Sequence, residues 1–174
     1  MVHSIELVFD ADTETAVRRS WSELAAAGLP GQAPTARPHV TLVVAERIDP
    51  GVDAALAAAA QRLPVDARLG ATLIFGRSHA VLARLVVPTA ELLALHELVY
   101  RLSAPHLEPG PLAHVAPGQW TPHVTLARRV GPAQLGAAQR IAGRPEVTGR
   151  FVGLRRWDGN ARTETPIPAS RRES

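Results

Sequence analysis

Apolar and polar positions alternate along the chain so as to predict two runs of elements in the same order. Residues 4–9, SIELVF, predict a strand. DTETAVRRSWSELAAAG (12–28) predicts a helix, with acids and threonines at its start and Gly28 at its end. GLPGQAPTARP is a loop, and HVTLVVAERI (39–48), rich in β-branched residues, is a strand. Asp49-Pro50 supplies an N-cap and a first-turn proline to a helix over GVDAALAAAAQRL, and VDARLGATLIFG (65–76) is extended again. The second run starts with HAVLARLVV (79–87) as a strand. A helix over TAELLALHELVYRLSA follows, with Leu92, Leu95, Leu98, Val99 and Leu102 on one stripe. PHLEPGPLAHVAPGQWTP (105–122) is a long loop with Pro and Gly punctuation. HVTLARRV is then a strand, Gly131-Pro132 opens a helix over AQLGAAQRIAG, and EVTGRFVGLRRWDG (146–159) is extended.

The two runs share more than their order. Pro-His-Val-Thr-Leu occurs in both, and its histidines, His39 and His123, are 84 positions apart. An identical word at the same place in the same order of elements is an internal duplication. The expected fold is α+β. It has two pseudo-twofold-related lobes, each a mainly antiparallel sheet flanked by helices, with a central cleft. Residues 1–174 are expected to form one bilobal domain, with a polar tail from about 161 to 174 that adds little.

Composition narrows the chemistry. The chain has 174 residues, 46% of them apolar, which is enough for a core. It has no cysteine, so disulfides, thiol nucleophiles and Cys-ligated metals are excluded. All 19 basic residues are Arg, which lifts the pI to about 10.8, but the net charge is only +3. Global charge is therefore a weak pointer to nucleic acid. The N-terminus has no basic start, so it does not read as a signal peptide. The most apolar later stretch is interrupted by Arg84, Pro88, Glu91, His96 and Glu97, so it does not read as a membrane span. A soluble cytoplasmic protein, monomeric and away from membranes, is expected.

Along a strand, residues i and i+2 share a face. His39 and Thr41 therefore point one way and Val40 and Leu42 the other, and His123 and Thr125 oppose Val124 and Leu126 in the same manner. If the lobes face each other, two imidazoles and two hydroxyls line one cleft. Imidazole titrates near neutrality, so one His can act as base while the other acts as acid, each worth roughly 10²–10⁴-fold. Thr hydroxyls donate to the oxygens of an anion held between them. A phosphodiester suits this quartet.

The duplicated His-x-Thr-x on paired strands resembles the two-histidine (2H) phosphoesterase superfamily, in particular its 2′-5′ RNA ligase-like and cyclic phosphodiesterase members. The likeness covers roughly residues 4–157. It implies His39 and His123 as catalytic residues and Thr41 and Thr125 as phosphate-binding residues. It also implies metal-independent chemistry, without a cofactor, on 2′,3′-cyclic phosphates or related 2′-linked esters. The partner is then an RNA end or a nucleotide carrying a cyclic phosphate. Which His is acid and which is base is not settled by the resemblance. Members often carry a basic residue shortly after the second motif. Simple alternation puts Arg129 on the His123 face, but the family's spacing favours Arg128, and strand ends often break alternation; Arg128 is taken as a phosphate ligand. In the first copy the cleft-side positions Val43 and Ala45 are bland, and no basic residue follows until Arg47.

The reaction expected is hydrolysis of the cyclic phosphate. The alternatives are 2′-5′ RNA ligation by the same site, a non-catalytic nucleotide- or RNA-binding module, or a structural protein in which the two His do not converge. Trp120, three residues before His123, either stacks a nucleobase or anchors its loop. Trp21 reads as helix-face core, Trp157 as strand-edge packing and His96 as a helix-surface residue. His3 and His79 read as structural, and His106 and His114 as solvated loop residues. The Arg pairs 18–19, 155–156 and 171–172 read as solvated. No metal site is expected, because neither His-x-Thr has a neighbouring carboxylate or third nitrogen.

Overall fold

The computed structural model describes residues 2–33, 35–76, 79–143 and 146–169. Eight strands and four helices follow one another as β1 (His3–Phe9), α1 (Ala11–Ala26), β2 (His39–Ile48), α2 (Val52–Ala60), β3 (Val65–Phe75), β4 (Ala80–Val86), α3 (Ala90–Ser103), β5 (Leu107–Pro111), β6 (His123–Val130), α4 (Leu135–Ala142), β7 (Val147–Asp158) and β8 (Thr163–Ile167). The strands form one open antiparallel sheet in the order β5-β2-β1-β7-β3-β4-β6, and β8 pairs with β7.

The predicted duplication is visible in the pairing. β1 pairs with β2 as β4 pairs with β6. The last strand of each run crosses over: β3 pairs with β4 of the second run, and β7 with β1 of the first. The lobes are thus β2-β1-β7 and β6-β4-β3, joined where β7 meets β3. The helices cross in the same way. α1 packs on β6, β7 and α4, and α3 on β2 and α2.

Capping explains where the helices begin. Asp10 accepts from the amide of Thr13 at 2.9 Å to open α1, and Thr89 accepts from Leu92 at 3.2 Å to open α3. Asp49 accepts from the amide of Gly51 at 2.8 Å and starts the turn leading into α2. The predicted stripe of α3 faces inward, with Leu92, Leu95 and Val99 buried and Leu98 and Leu102 packed against the core. Arg84 of β4 is also buried and donates to the carbonyls of Gly70, Leu69 and Ala142, so its charge sits among acceptors.

Three expectations are corrected. The 105–122 segment is not all loop: residues 107–111 pair with β2 as an edge strand, where Pro109 and Pro111 need no inward-facing N–H. The tail is not idle, because residues 163–167 pair with β7 and Ile167 is buried. Arg155 and Arg156 are not solvated. They lie on opposite faces of β7, and each meets a carboxylate. Arg155 is 5% exposed and binds Glu6, with Nε at 2.8 Å, and also Glu164. Arg156 makes a bidentate pair with Asp53 at 2.8 and 2.9 Å, which raises its pKa. Arg171 and Arg172 lie outside the described residues.

Candidate active site

β2 and β6 carry the two copies of the repeated word and lie close together across the cleft. In both copies the histidine opens the strand and is fixed in the same way. His39 Nδ1 lies 2.8 Å from the carbonyl of Arg37, and His123 Nδ1 lies 2.7 Å from that of Thr121. A carbonyl only accepts, so Nδ1 carries the hydrogen and Nε2 is left to take or give a proton. The intervening prolines, Pro38 and Pro122, favour an extended residue before them, which aims that carbonyl back at the ring.

Each motif strand also contains a bulge. On β2, Glu6 pairs with Thr41 and Ile5 with Val43, so Leu42 is the extra residue. On β6, Ala83 pairs with Thr125 and Leu82 with Ala127, so Leu126 is extra. Two successive side chains then enter the core, Leu42 with Val43 and Leu126 with Ala127, and the phase of the strand reverses. The next cleft-facing residues are Val44 and Arg128. This corrects the reading by simple alternation: Val43 and Ala45 are buried, and Val44 lines the cleft. Arg128 lines it with His39, while Arg129 sits at φ +60° beside a second irregularity.

Indole N–H groups cap both threonine carbonyls. Trp120 Nε1 donates to Thr41 O at 2.9 Å, and Trp21 Nε1, from the buried face of α1, donates to Thr125 O at 3.1 Å. One face of Trp120 is stacked on His96, with centroids 4.0 Å apart and planes 3° apart. His96 is buried rather than on the helix surface, and its Nε2 lies 3.0 Å from Val115 O. It belongs to the apolar stripe, four residues after Leu92 and three before Val99, which is the signal that could have placed it inside. Trp120 therefore anchors the 112–122 loop, while part of its ring still lines the cleft.

Two cavities meet at Thr41 and Val44. One, of about 780 Å³, is lined by His39, Glu6, Arg37, Arg128 and Arg155 among others. The other, of about 480 Å³, is lined by His123, Phe75, Thr121, His114 and Trp120. A small pocket adjoining the first brings Thr125 to His39 and Arg128. The five residues picked from the sequence, His39, Thr41, His123, Thr125 and Arg128, therefore surround one cleft. Sequence reasoning missed Phe75, whose ring lies 4.8 Å from that of His123, and Glu6, whose Oε1 lies 3.6 Å from His39 Nε2. It also missed Arg37, which both fixes His39 and faces the cavity. None of these carries a motif; strand pairing brings in Phe75 and Glu6, while Arg37 simply precedes His39 by two positions.

The electrostatics differ between the two imidazoles. Burial pushes the His123 pKa down. The Thr121 carbonyl opposes the shift, and the charges of Arg128 and His39 add to it. His123 is thereby kept neutral and able to accept a proton. Among the described residues no group of three or more His, Asp or Glu side chains is placed to hold a metal ion, and no helix is long and apolar enough to cross a membrane.

Comparison with known proteins agrees with the fold. Crystal structures with the same fold include TT0787 of Thermus thermophilus (TM-score 0.59, 19% identity, covering 98% of this chain and 100% of that one). The Usb1 protein of Kluyveromyces marxianus with uridine monophosphate has a TM-score of 0.53 at 12% identity, covering 96% and 97%. LigT of E. coli complexed with 3′-AMP has a TM-score of 0.53 at 16% identity, covering 95% and 93%. No curated protein sequence matches the chain. A family model described as the 2′-5′ RNA ligase superfamily matches residues 12–160. With that match spanning both copies of the motif, the chain belongs to the 2′-5′ RNA ligase (2H phosphoesterase) superfamily.

Proposed function

We propose that the protein is a phosphoesterase that opens a 2′,3′-cyclic phosphate on an RNA end or a nucleotide, with two imidazoles as its proton carriers and no metal in the reaction. The observation that carries this reading is the matched fastening of His39 and His123 through Nδ1, which leaves both Nε2 atoms for proton transfer. The phosphate sits between the two motifs, and the hydroxyls of Thr41 and Thr125 and the Arg128 guanidinium hold its non-bridging oxygens.

His123, held neutral, takes a proton from water as the water oxygen bonds to phosphorus. His39, as the acid, gives a proton from Nε2 to the 2′ or 3′ oxygen as the P–O bond to that oxygen breaks. The sum is one water added and a phosphomonoester formed, and proton exchange with solvent resets both rings. Two structural neighbours hold a nucleoside monophosphate, UMP in one and 3′-AMP in the other, which supports a nucleotide-sized ligand. Its base fits the slot lined by Phe75 and the exposed part of Trp120.

The test is turnover of a 2′,3′-cyclic nucleotide in EDTA. His39→Ala and His123→Ala should each remove activity while leaving the circular dichroism spectrum unchanged. Retention of activity by both variants contradicts the reading. Offering a 5′-hydroxyl RNA together with a cyclic-phosphate end separates hydrolysis from ligation, because only ligation gives a longer product.

A further inference from the structure

The cavity beside His39 is built for more negative charge than the reacting phosphate brings. Arg18, Arg37, Arg128, Arg155 and Arg162 line it, together with the ring of Trp157. Three carboxylates answer these five cations. Glu14 pairs with Arg18 at 2.9 Å and Arg37 at 3.3 Å, Glu6 pairs with Arg155 at 2.7 Å, and Glu164 pairs with Arg37 at 3.7 Å and also with Arg155. Two positive charges are in excess. Among the described residues, Arg128 and Arg162 make no ion pair. Arg128 faces the reacting phosphate, which leaves Arg162.

The position of Arg162 is also unusual. It lies in the turn between β7 and β8 with φ +56°, a left-handed conformation that glycine or asparagine adopts more readily. A long cation kept there against backbone preference points into a cavity of about 780 Å³, much larger than one phosphate needs. The second cavity contrasts with it, since its lining of Phe75, Trp120, Thr121, His114 and His123 contains no arginine.

We propose that the arginine-lined cavity binds a second phosphate group of the substrate, with Arg162 as its ligand at the mouth and Arg37 deeper in. The preferred substrate then carries a phosphate besides the cyclic one, either a terminal 5′-phosphate or the phosphodiester of a preceding nucleotide. This rests on the reading of the cleft as a cyclic-phosphate site. The base lies on the Phe75 and Trp120 side, and the second phosphate lies across Thr41 on the His39 side.

The experiment compares kcat/KM for three substrates: a nucleoside 2′,3′-cyclic phosphate, the same compound with a 5′-phosphate, and a short RNA ending in the cyclic phosphate. The wild-type protein should favour one or both of the latter by about tenfold or more, the scale of a hydrogen bond to a charged group. Arg162→Ala should abolish that preference and leave turnover of the bare cyclic nucleotide within about twofold, and Arg162→Lys should restore part of it. A gain for both phosphorylated substrates assigns a terminal phosphate, and a gain for the RNA alone assigns the chain; either supports the site. Equal turnover of all three by the wild type, or a uniform loss in Arg162→Ala, overturns it and leaves the proposed activity standing. No turnover of any of the three by folded protein overturns the activity itself, and this inference with it.

Discussion

Val44 occupies in the first lobe the place that Arg128 occupies in the second. Each lies three residues after its motif threonine, behind a one-residue bulge that turns the strand's phase, and each lines the cleft. The duplication has thus kept the backbone and changed the chemistry. One lobe offers a guanidinium to the cleft and the other an isopropyl group.

Unequal roles for these two positions follow. Arg128→Ala removes a charged hydrogen-bond donor from the proposed phosphate site and should lower kcat/KM by roughly ten- to a hundredfold, the equivalent of about 1.5–3 kcal/mol. Val44→Ala removes only a little apolar contact and should stay within about threefold of wild type. Steady-state kinetics on a cyclic nucleotide decides the matter. Equal losses in the two variants would mean that the lobes share the phosphate evenly.

The pH profile should report His123 on its acid limb. In the proposed reaction His123 is the base, so its protonation removes activity and kcat/KM falls once pH drops through its pKa. Burial, with the charges of Arg128 and His39 adding to it, holds that pKa below the ordinary histidine value. Removing the Arg128 cation relieves part of the depression. In Arg128→Ala the acid limb should therefore move to higher pH, seen on the residual activity. A limb that stays put, or moves to lower pH, would assign it to another group.

Much of this was legible in the sequence. Strand periodicity and the repeated word put His39, Thr41, His123 and Thr125 on common faces, and the structure surrounds one cleft with them. The bulges were not legible. Leu42 and Leu126 are ordinary strand residues, and the extra residue shows only in their pairing with β1 and β4. Simple alternation therefore misplaced Val43 and Ala45, and Arg128 came from resemblance rather than periodicity. Glu6 escaped notice, and Arg155 was read as solvated, for another reason. They lie 149 positions apart, and only the crossover that seats β7 beside β1 makes them partners. The tail failed in the same way: a polar sequence such as TETPI becomes a strand only because β7 offers it an edge.

Acid should weaken the fold before the carboxylates titrate. The pKa of His96 is pushed down by burial, which outweighs the upward pull of the Val115 and Leu42 carbonyls and of Glu97; the His123 pKa is also lowered. Both folded-state values lie below the unfolded value of about 6.5. As pH falls past that value, the unfolded chain takes up protons that the folded chain refuses, so stability is lost on the way down through the folded values. The melting temperature should decline between about pH 7 and pH 5, above the range where aspartates, at about 3.9, protonate. His96→Gln, which cannot take up a proton, should show a shallower decline. The same slope in both proteins would place the acid sensitivity elsewhere.

The Glu6–Arg155 pair gives the sharpest test of how the lobe behind His39 is held. Both side chains are nearly inaccessible, at 4% and 7% exposure, and their contact is as short as 2.7 Å. Two buried charges gain little net stability as a pair, because desolvation offsets their attraction, but either one left alone is costly. Glu6→Gln leaves Arg155 with the more exposed Glu164 as its remaining carboxylate, and Arg155→Met leaves the Glu6 carboxylate buried with the Ser4 hydroxyl and the His39 ring as its remaining polar neighbours. Each should lose about 3 kcal/mol in urea unfolding, at the lower end of the range for a broken buried pair. The double variant Glu6→Leu/Arg155→Met removes both charges together and should lie closer to wild type than either single variant. Glu6 also sits 3.6 Å from His39 Nε2, so the double variant separates two roles. If Glu6 only balances Arg155, stability and turnover recover together. If it also orients His39, stability recovers and turnover does not.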